Sequence, residues 1–292
     1  ATISKGQKGE SLDDFCELAA AGAVGVSDDG SPVVNSELMR RALEYAHYCG
    51  LTVISHCEDL NLSKGGVMHE GEISTRIGLP GISGSSEDIL VYREISLARL
   101  TRCPVHIAHV STGVSVELVR RAKEEGLPVT AETTPHYFTL DHESLVGYDT
   151  RYKVNPPLRT SKDVAEIKRG LADGTIDVIA TDHAPHDSLE KDVEFDKAAF
   201  GMIGLQTALP LTLELVRDGI ITLPDAISKL SSKGAAILGI PGGEIKEGAN
   251  ADLAIIDMAC EYRFEEKDIL SKSKNSPFLG RMLKGRCDLT MV

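Results

Sequence analysis

The chain has 292 residues, 42% of them hydrophobic, which is enough to bury one large core or two smaller ones. Its 44 acidic against 31 basic residues leave a net charge of −13. That balance argues against nucleic-acid or anionic-membrane partners, and an anionic substrate would need a locally positive pocket.

The six cysteines form no CxxC pair and read as buried free thiols of a reducing cytoplasm. No apolar run approaches the roughly 18 residues of a membrane span. In chain order, the spacing predicts a helix over 11–21 with Ser11 as N-cap, then a strand over 23–27 running into the turn Asp28-Asp29-Gly30. A helix over 36–49 and a strand over 51–57 follow, then a long Gly-rich loop to about 84. Helix 86–102 is expected to bury Ile89, Leu90, Ile95 and Leu97. Strand 104–110, helix 113–125 and strand 128–133 continue the rhythm, and 134–160 reads as irregular apart from an extended piece at 152–155. Helix 162–173, strand 176–181 and helices near 203–218 and 224–238 complete the main body. From Gly242 the pattern changes to short strands at 251–257, 262–264 and 287–292.

Alternating β and α units argue for a parallel α/β sheet, and chemistry-bearing residues at strand ends favour a (β/α)8 barrel of the TIM type. Only five or six units can be counted against the eight that close such a barrel. With no initiator Met, the expectation is that an N-terminal part of a longer protein is missing from this sequence. Residues 1–241 then form a partial hydrolase barrel, and 242–292 the C-terminal part of a small β-sandwich domain.

The most informative stretch is Ala180-Thr181-Asp182-His183-Ala184-Pro185-His186 at the end of an apolar strand. Asp182 is a candidate oxygen ligand or proton carrier, and His186 a candidate anion or proton site. His56 and His109 end two other strands of the same set. Taken singly, each strand-end His is more often a structural residue, and Asp182 is as readily a cap or surface carboxylate. His, His and Asp converging from three strand ends form a metal-hydrolase pattern. Strand alternation puts His106 on the face opposite His109. Asp28-Asp29-Gly30 is equally an ordinary turn, and His47, His69, His136 and His142 are given no chemistry. The loops at 60–84 and 187–202 are candidates to close over a substrate, the second, with Gly201 and Gly204, as a lid.

The segment Thr181-Asp182-x-Ala184-Pro185-His186-x4-Lys191 resembles the signature of dihydroorotases and related cyclic amidohydrolases. So, in order, do Asp28-Asp-Gly-Ser-Pro32, His56-Cys-Glu-Asp59, His109-Val-Ser-Thr112, Asn155-Pro-Pro-Leu-Arg159 and Gly204-Leu-Gln-Thr-Ala-Leu-Pro210. The resemblance implies zinc, one ion or two, held by Asp29, His56, His109 and Asp182. It implies Asp182 as general base and acid, with Asn155, His186 and the Phe200-Gly201 backbone holding a pyrimidine ring and its carboxylate.

The implied reaction is reversible hydrolysis of dihydroorotate to N-carbamoyl-L-aspartate in pyrimidine biosynthesis, in the cytoplasm. Asp29, where related enzymes typically carry a carboxylated lysine, resembles the bacterial class that assembles with aspartate transcarbamoylase, and a homo-oligomer is expected. The alternatives are an allantoinase-type ureide hydrolase or a catalytically silent subunit that scaffolds the transcarbamoylase. The family's early His-x-His pair, the Arg that follows it and a substrate Asn are not found in this sequence. The 292 residues alone are therefore expected to be inactive and to bind zinc weakly.

Overall fold

A computed structural model describes all residues from Ala1 to Val292. The first helix, α1 (Phe15–Ala20), is capped by Asp14, whose carboxylate accepts from Glu17 N. Ser11 is not its cap, because residues 4 and 12 form a β-bridge and hold the preceding chain extended. Strand β1 (Gly25–Val26) leads to α2 (Ser36–Tyr48), whose N-cap Asn35 accepts from Glu37 N and Leu38 N. The buried stripe of α2 is Met39, Ala42, Leu43 and Ala46 at helical spacing. Burial of Met39 or Leu43 contributes about 1.5–3 kcal/mol each. Strand β2 (Thr52–Ser55) follows.

The long Gly-rich loop is more ordered than its composition suggests. It contains α3 (Leu60–Ser63), β3 (Met68–His69), α4 (Glu72–Ile77) and β4 (Gly81–Ile82), with β3 and β4 paired in parallel. Helix α5 (Ser85–Thr101) buries Leu90, Val91 and Ile95, but Ile89 faces solvent. Next come β5 (Val105–Ile107), α6 (Gly113–Glu124), β6 (Val129–Thr133) and a short buried helix α7 (Pro135–Thr139) inside the stretch expected to be irregular. Helix α8 (Ser161–Ala172) opens on a capping box between Thr160 and Asp163. The anticipated extended piece at 152–155 forms no strand; Thr150–Tyr152 is a turn of 3-10 helix.

Strand β7 (Val178–Ile179) is followed by α9 (Ser188–Lys191) and α10 (Leu205–Arg217), which carries Pro210 within it. The last helical region breaks at Ser231 into α11 (Leu223–Leu230) and α12 (Ser232–Leu238). At the C-terminal end, β8 (Leu253–Arg263) and β9 (Met282–Met291) pair antiparallel, so two of the expected short strands are one bulged strand. No helix is long and apolar enough to cross a membrane.

The central sheet has five strands in the order β1-β2-β5-β6-β7, all parallel. The β3–β4 pair apart, the strands lie side by side in chain order, as a barrel wall requires. Ser55, in register with Ile107, reaches Glu94 on α5, so that face of the sheet meets the helices. Ile54, His106 and Thr130, also in register, point to the opposite, inner face. Phe264, Ile269, Phe278 and Leu283 pack into the same 48-residue core as the main sheet.

One expectation is corrected here. Cys16 and Cys49 form a disulfide between the start of α1 and the end of α2, leaving four free thiols, of which only Cys57 and Cys103 are buried. The two half-cystines are 33 residues apart, so their spacing carried no signal for the pairing. The fold brings their Cα atoms to 5.2 Å.

Candidate metal centre

Three of the four expected ligands meet at the carboxyl ends of β1, β2 and β5. Asp29, His56 and His109 place one donor atom each within 4.8 Å of one another. His56 Nδ1 lies 2.9 Å from His109 Nε2 and 3.1 Å from Asp29 Oδ1, and His109 Nε2 is 3.2 Å from the same oxygen. The neighbouring carboxylate is committed elsewhere. Asp28 is buried and accepts from Ile3 N, Ser4 N and the Ser4 hydroxyl, which ties the N-terminal segment to β1. Asp29 is left to approach the two imidazoles with its side chain 57% exposed.

Strand alternation misjudged His109. Strand β5 ends at Ile107, and His109 sits past it with φ +33°, which turns the side chain to the inner face. His106 faces inward too. It is buried there, bonded to Thr130 Oγ1 at 2.8 Å and paired with Glu132 at 3.2 Å. Asp182 is also at positive φ, +44°. Non-glycine residues in this region persist only where the surroundings hold them, and they concentrate at functional sites.

Asp182 is not within the tight three-residue set. It lies close enough to feel it: burial raises its pKa, the His109 and His56 charges oppose that, and the Asp29 carboxylate adds to it. Hydrogen bonds to His109 and His56 hold the Asp29 carboxyl far below the usual range. Burial would depress His109, but its bond to Asp29 and the charge of Asp182 outweigh that and lift it to about 9. A cation is thus favoured where these groups converge.

Two imidazole nitrogens and a carboxylate oxygen are a donor set suited to zinc. The orphaned Nδ1 of His109 and the buried, unpartnered Nε2 of His136 mark a polar interior around it. His136 is held neutral, its pKa depressed to about 3 by burial and by the neighbouring His109 charge.

The remaining expected residues sort clearly. His183 faces away, its Nδ1 accepting from Gly204 N at 3.1 Å. His186 is a quarter exposed and pairs with Glu190 at 3.0 Å. Asn155 directs its amide nitrogen to Glu58 at 2.9 Å. Gly201, at φ +135°, abuts the His186 ring, and a Cβ there would lie 2.6 Å from Ala184 Cβ and 3.0 Å from the imidazole. Gly201→Ala is expected to cost about 2 kcal/mol of stability and to displace His186. Denaturant unfolding and the His186 ring proton shifts check both effects.

Of the residues that organise this site, Asn275 and Lys153 carried no signal in the sequence, and Lys191 entered only as the last position of the signature. Asn275 donates to Ala184 O and Gly201 O, and its Oδ1 accepts from His186 N. Lys153 donates to Phe195 O and Asp196 O, and Lys191 to Ala199 O and Gly201 O. Two buried ammonium groups therefore fasten the 195–201 segment.

Burial pulls Lys191 and Lys229 down to about 8. Unfolded lysine titrates near 10.4, so between about pH 8 and 10 the unfolded chain binds more protons and stability rises with pH. From about pH 8 to pH 9 the two lysines are expected to raise the melting temperature of the metal-free protein by roughly 2 °C each, and His109, which gives up its stabilising proton over the same range, offsets about one of these increments. Carbonyl oxygens around both ammonium groups favour the charged form and keep the effect small. A flat or falling profile counts against it, and Lys229→Met is expected to flatten the remaining rise.

The amidohydrolase family profile matches residues 5–292. A dihydroorotase from Geobacter sp. (strain M21) is 57% identical over 290 residues, covering 99% of this chain and 68% of that protein. One from Pelotomaculum thermopropionicum is 56% identical over 291 residues, with the same shares. Among solved structures, the L-hydantoinase (dihydropyrimidinase) from Arthrobacter aurescens superposes with a TM-score of 0.83 at 25% identity, covering 95% of this chain and 65% of that one. A D-hydantoinase also gives 0.83, at 22% identity over 96% of this chain and 65% of its own. The donor set at the strand ends, the parallel wall that carries it and these likenesses lead to one assignment: the chain belongs to the amidohydrolase family, among the dihydroorotases.

Proposed function

We propose that this chain carries the chemistry of a zinc-dependent dihydroorotase, the reversible hydrolysis of (S)-dihydroorotate to N-carbamoyl-L-aspartate in pyrimidine biosynthesis. The observation that carries the reading is the convergence of Asp29, His56 and His109. Asp29, His56 and His109 would hold the zinc, which when bound would polarise the ring amide carbonyl and acidify a water, the usual contribution of such an ion.

Asp182 takes the proton from the attacking water and returns it to the departing ring nitrogen. A carboxyl with a raised pKa suits a group that must both accept and release a proton near neutrality. Asn155 and His186 flank the ring and its carboxylate, with the Phe200-Gly201 backbone as the third wall. Lys191 and Asn275 hold that wall against His186. Running in reverse, the same proton path closes the carbamoyl amide on the side-chain carboxyl.

A cytoplasmic location, a homo-oligomer and association with aspartate transcarbamoylase belong to the same reading; the partner is supported by the Asp29 turn alone. We also take 1–241 as the hydrolase body and 242–292 as part of a smaller β unit, supported by the antiparallel β8–β9 pair. The decisive assay supplies dihydroorotate and allantoin separately to the 292-residue chain and to a chain extended to the length of its relatives. Chelator-sensitive turnover of dihydroorotate by the extended chain is expected. No turnover of it in the presence of zinc sinks the assignment.

A further inference from the structure

Glu58 stands two residues past His56 with its side chain only 11% exposed, and its carboxylate pairs with no Lys or Arg. A buried carboxylate without a cation is costly unless hydrogen bonds satisfy it. One oxygen, Oε2, does most of this: it accepts from His56 Nε2 and from Asn155 Nδ2, each at 2.9 Å. We propose that Glu58 is a positioning residue that sets His56 for the metal and Asn155 for the substrate through one shared oxygen. The proposal deepens the metal and substrate roles argued above and rests on them.

The geometry makes the coupling specific. An imidazole whose Nε2 proton is held by Glu58 presents its unprotonated Nδ1 to Asp29 and His109 on the other side. The same oxygen fixes which end of the Asn155 amide is nitrogen. Its Oδ1 makes no hydrogen bond within the protein and is left to accept from a ligand N–H.

The backbone beneath Glu58 is already rigid. Asp59 N donates to Ser86 O at 2.8 Å, and Asp59 caps α3 through Asn61 N and Leu62 N. The carboxylate is therefore held in place before any ligand arrives. A role confined to stability would leave metal affinity untouched, and that separates the two possibilities.

Zinc affinity, read by competition with a chromophoric chelator, is compared on the full chain for wild type, Glu58→Ala, Glu58→Gln and Asn155→Ala. Glu58→Ala is expected to weaken zinc about 10–100-fold. Glu58→Gln can put its carbonyl where Oε2 stands but loses the charge, and is expected to weaken zinc about 3–10-fold. Asn155→Ala leaves zinc affinity unchanged. With zinc saturating, N-carbamoyl-L-aspartate binding is weakened by Glu58→Ala and Asn155→Ala, and the double variant is no weaker than the worse single one.

Zinc affinity within about twofold of wild type in the Glu58 variants overturns the proposal, as do effects on carbamoyl aspartate that multiply. If Glu58→Ala does not fold, Glu58→Gln decides alone. Failure of the wild type to bind carbamoyl aspartate at all removes the substrate assignment, while the zinc series still decides whether Glu58 sets His56.

Discussion

Replacing Asp182 by Asn in the chain extended to the length of its relatives is expected to lower dihydroorotate turnover by about 10³-fold while leaving most of the zinc affinity. The split follows from where the structure places this carboxylate. Asp29, His56 and His109 gather their donor atoms without it. Asp182 stands beside them on the turn after β7, at φ +44° and partly buried. The resemblance gave it two duties, ligand and proton carrier, and they predict different variants. A principal ligand would lose metal and activity together, as His109→Ala should. A proton carrier loses turnover, because Asn keeps the shape and the hydrogen-bonding oxygen but cannot take a proton. Zinc titration of both variants beside ring-opening rates settles it. An Asp182→Asn protein with turnover within about tenfold of wild type would remove Asp182 from the proton path.

What the sequence made legible is what repeats locally. Alternating βα periodicity gave the parallel wall, because each helix and strand carries its own apolar stripe and caps. His56 and His109 were singled out because strand ends are where such a wall exposes chemistry, and Asp29 only through the family resemblance. The rest depended on distance along the chain. Lys153 and the 195–196 carbonyls are 42 and 43 residues apart, Asn155 and Glu58 are 97 apart, and Asn275 and His186 are 89 apart. No spacing rule links such partners, and Lys153 and Asn275 look like ordinary polar residues until the fold closes.

Local rules also misled in two places. Alternation failed at His109 because the strand had ended and the backbone had turned. The Gly-rich stretch after β2 read as a loop because each of its elements is six residues or shorter, below the length at which periodicity can be seen.

The largest effect on stability is expected at Glu87, and it is expected to be asymmetric with its partner. Glu87 and Arg159 are both buried, but their contact is long, 3.5 Å. The Glu87 carboxylate is occupied chiefly by the segment just after His109: it accepts from Ser111 N at 3.0 Å, Thr112 N at 3.1 Å and the hydroxyls of both. Arg159 spreads its donors over Ser111 Oγ, Ile82 O and His69 Nδ1.

Glu87→Leu therefore leaves a buried guanidinium without a counter-charge and strands two backbone N–H groups. A loss of about 3–5 kcal/mol is expected. Arg159→Met leaves a carboxylate that still accepts four hydrogen bonds, and a smaller loss of about 1–3 kcal/mol is expected. Urea unfolding of the two variants measures the difference directly. Equal losses would mean that the ion pair itself, rather than the cradle Glu87 makes for the Ser111-Thr112 turn, holds His109 in its left-handed conformation. The order expected here makes Glu87 the anchor of that ligand, and Arg159 the residue that carries the loop with Asn155 up to it.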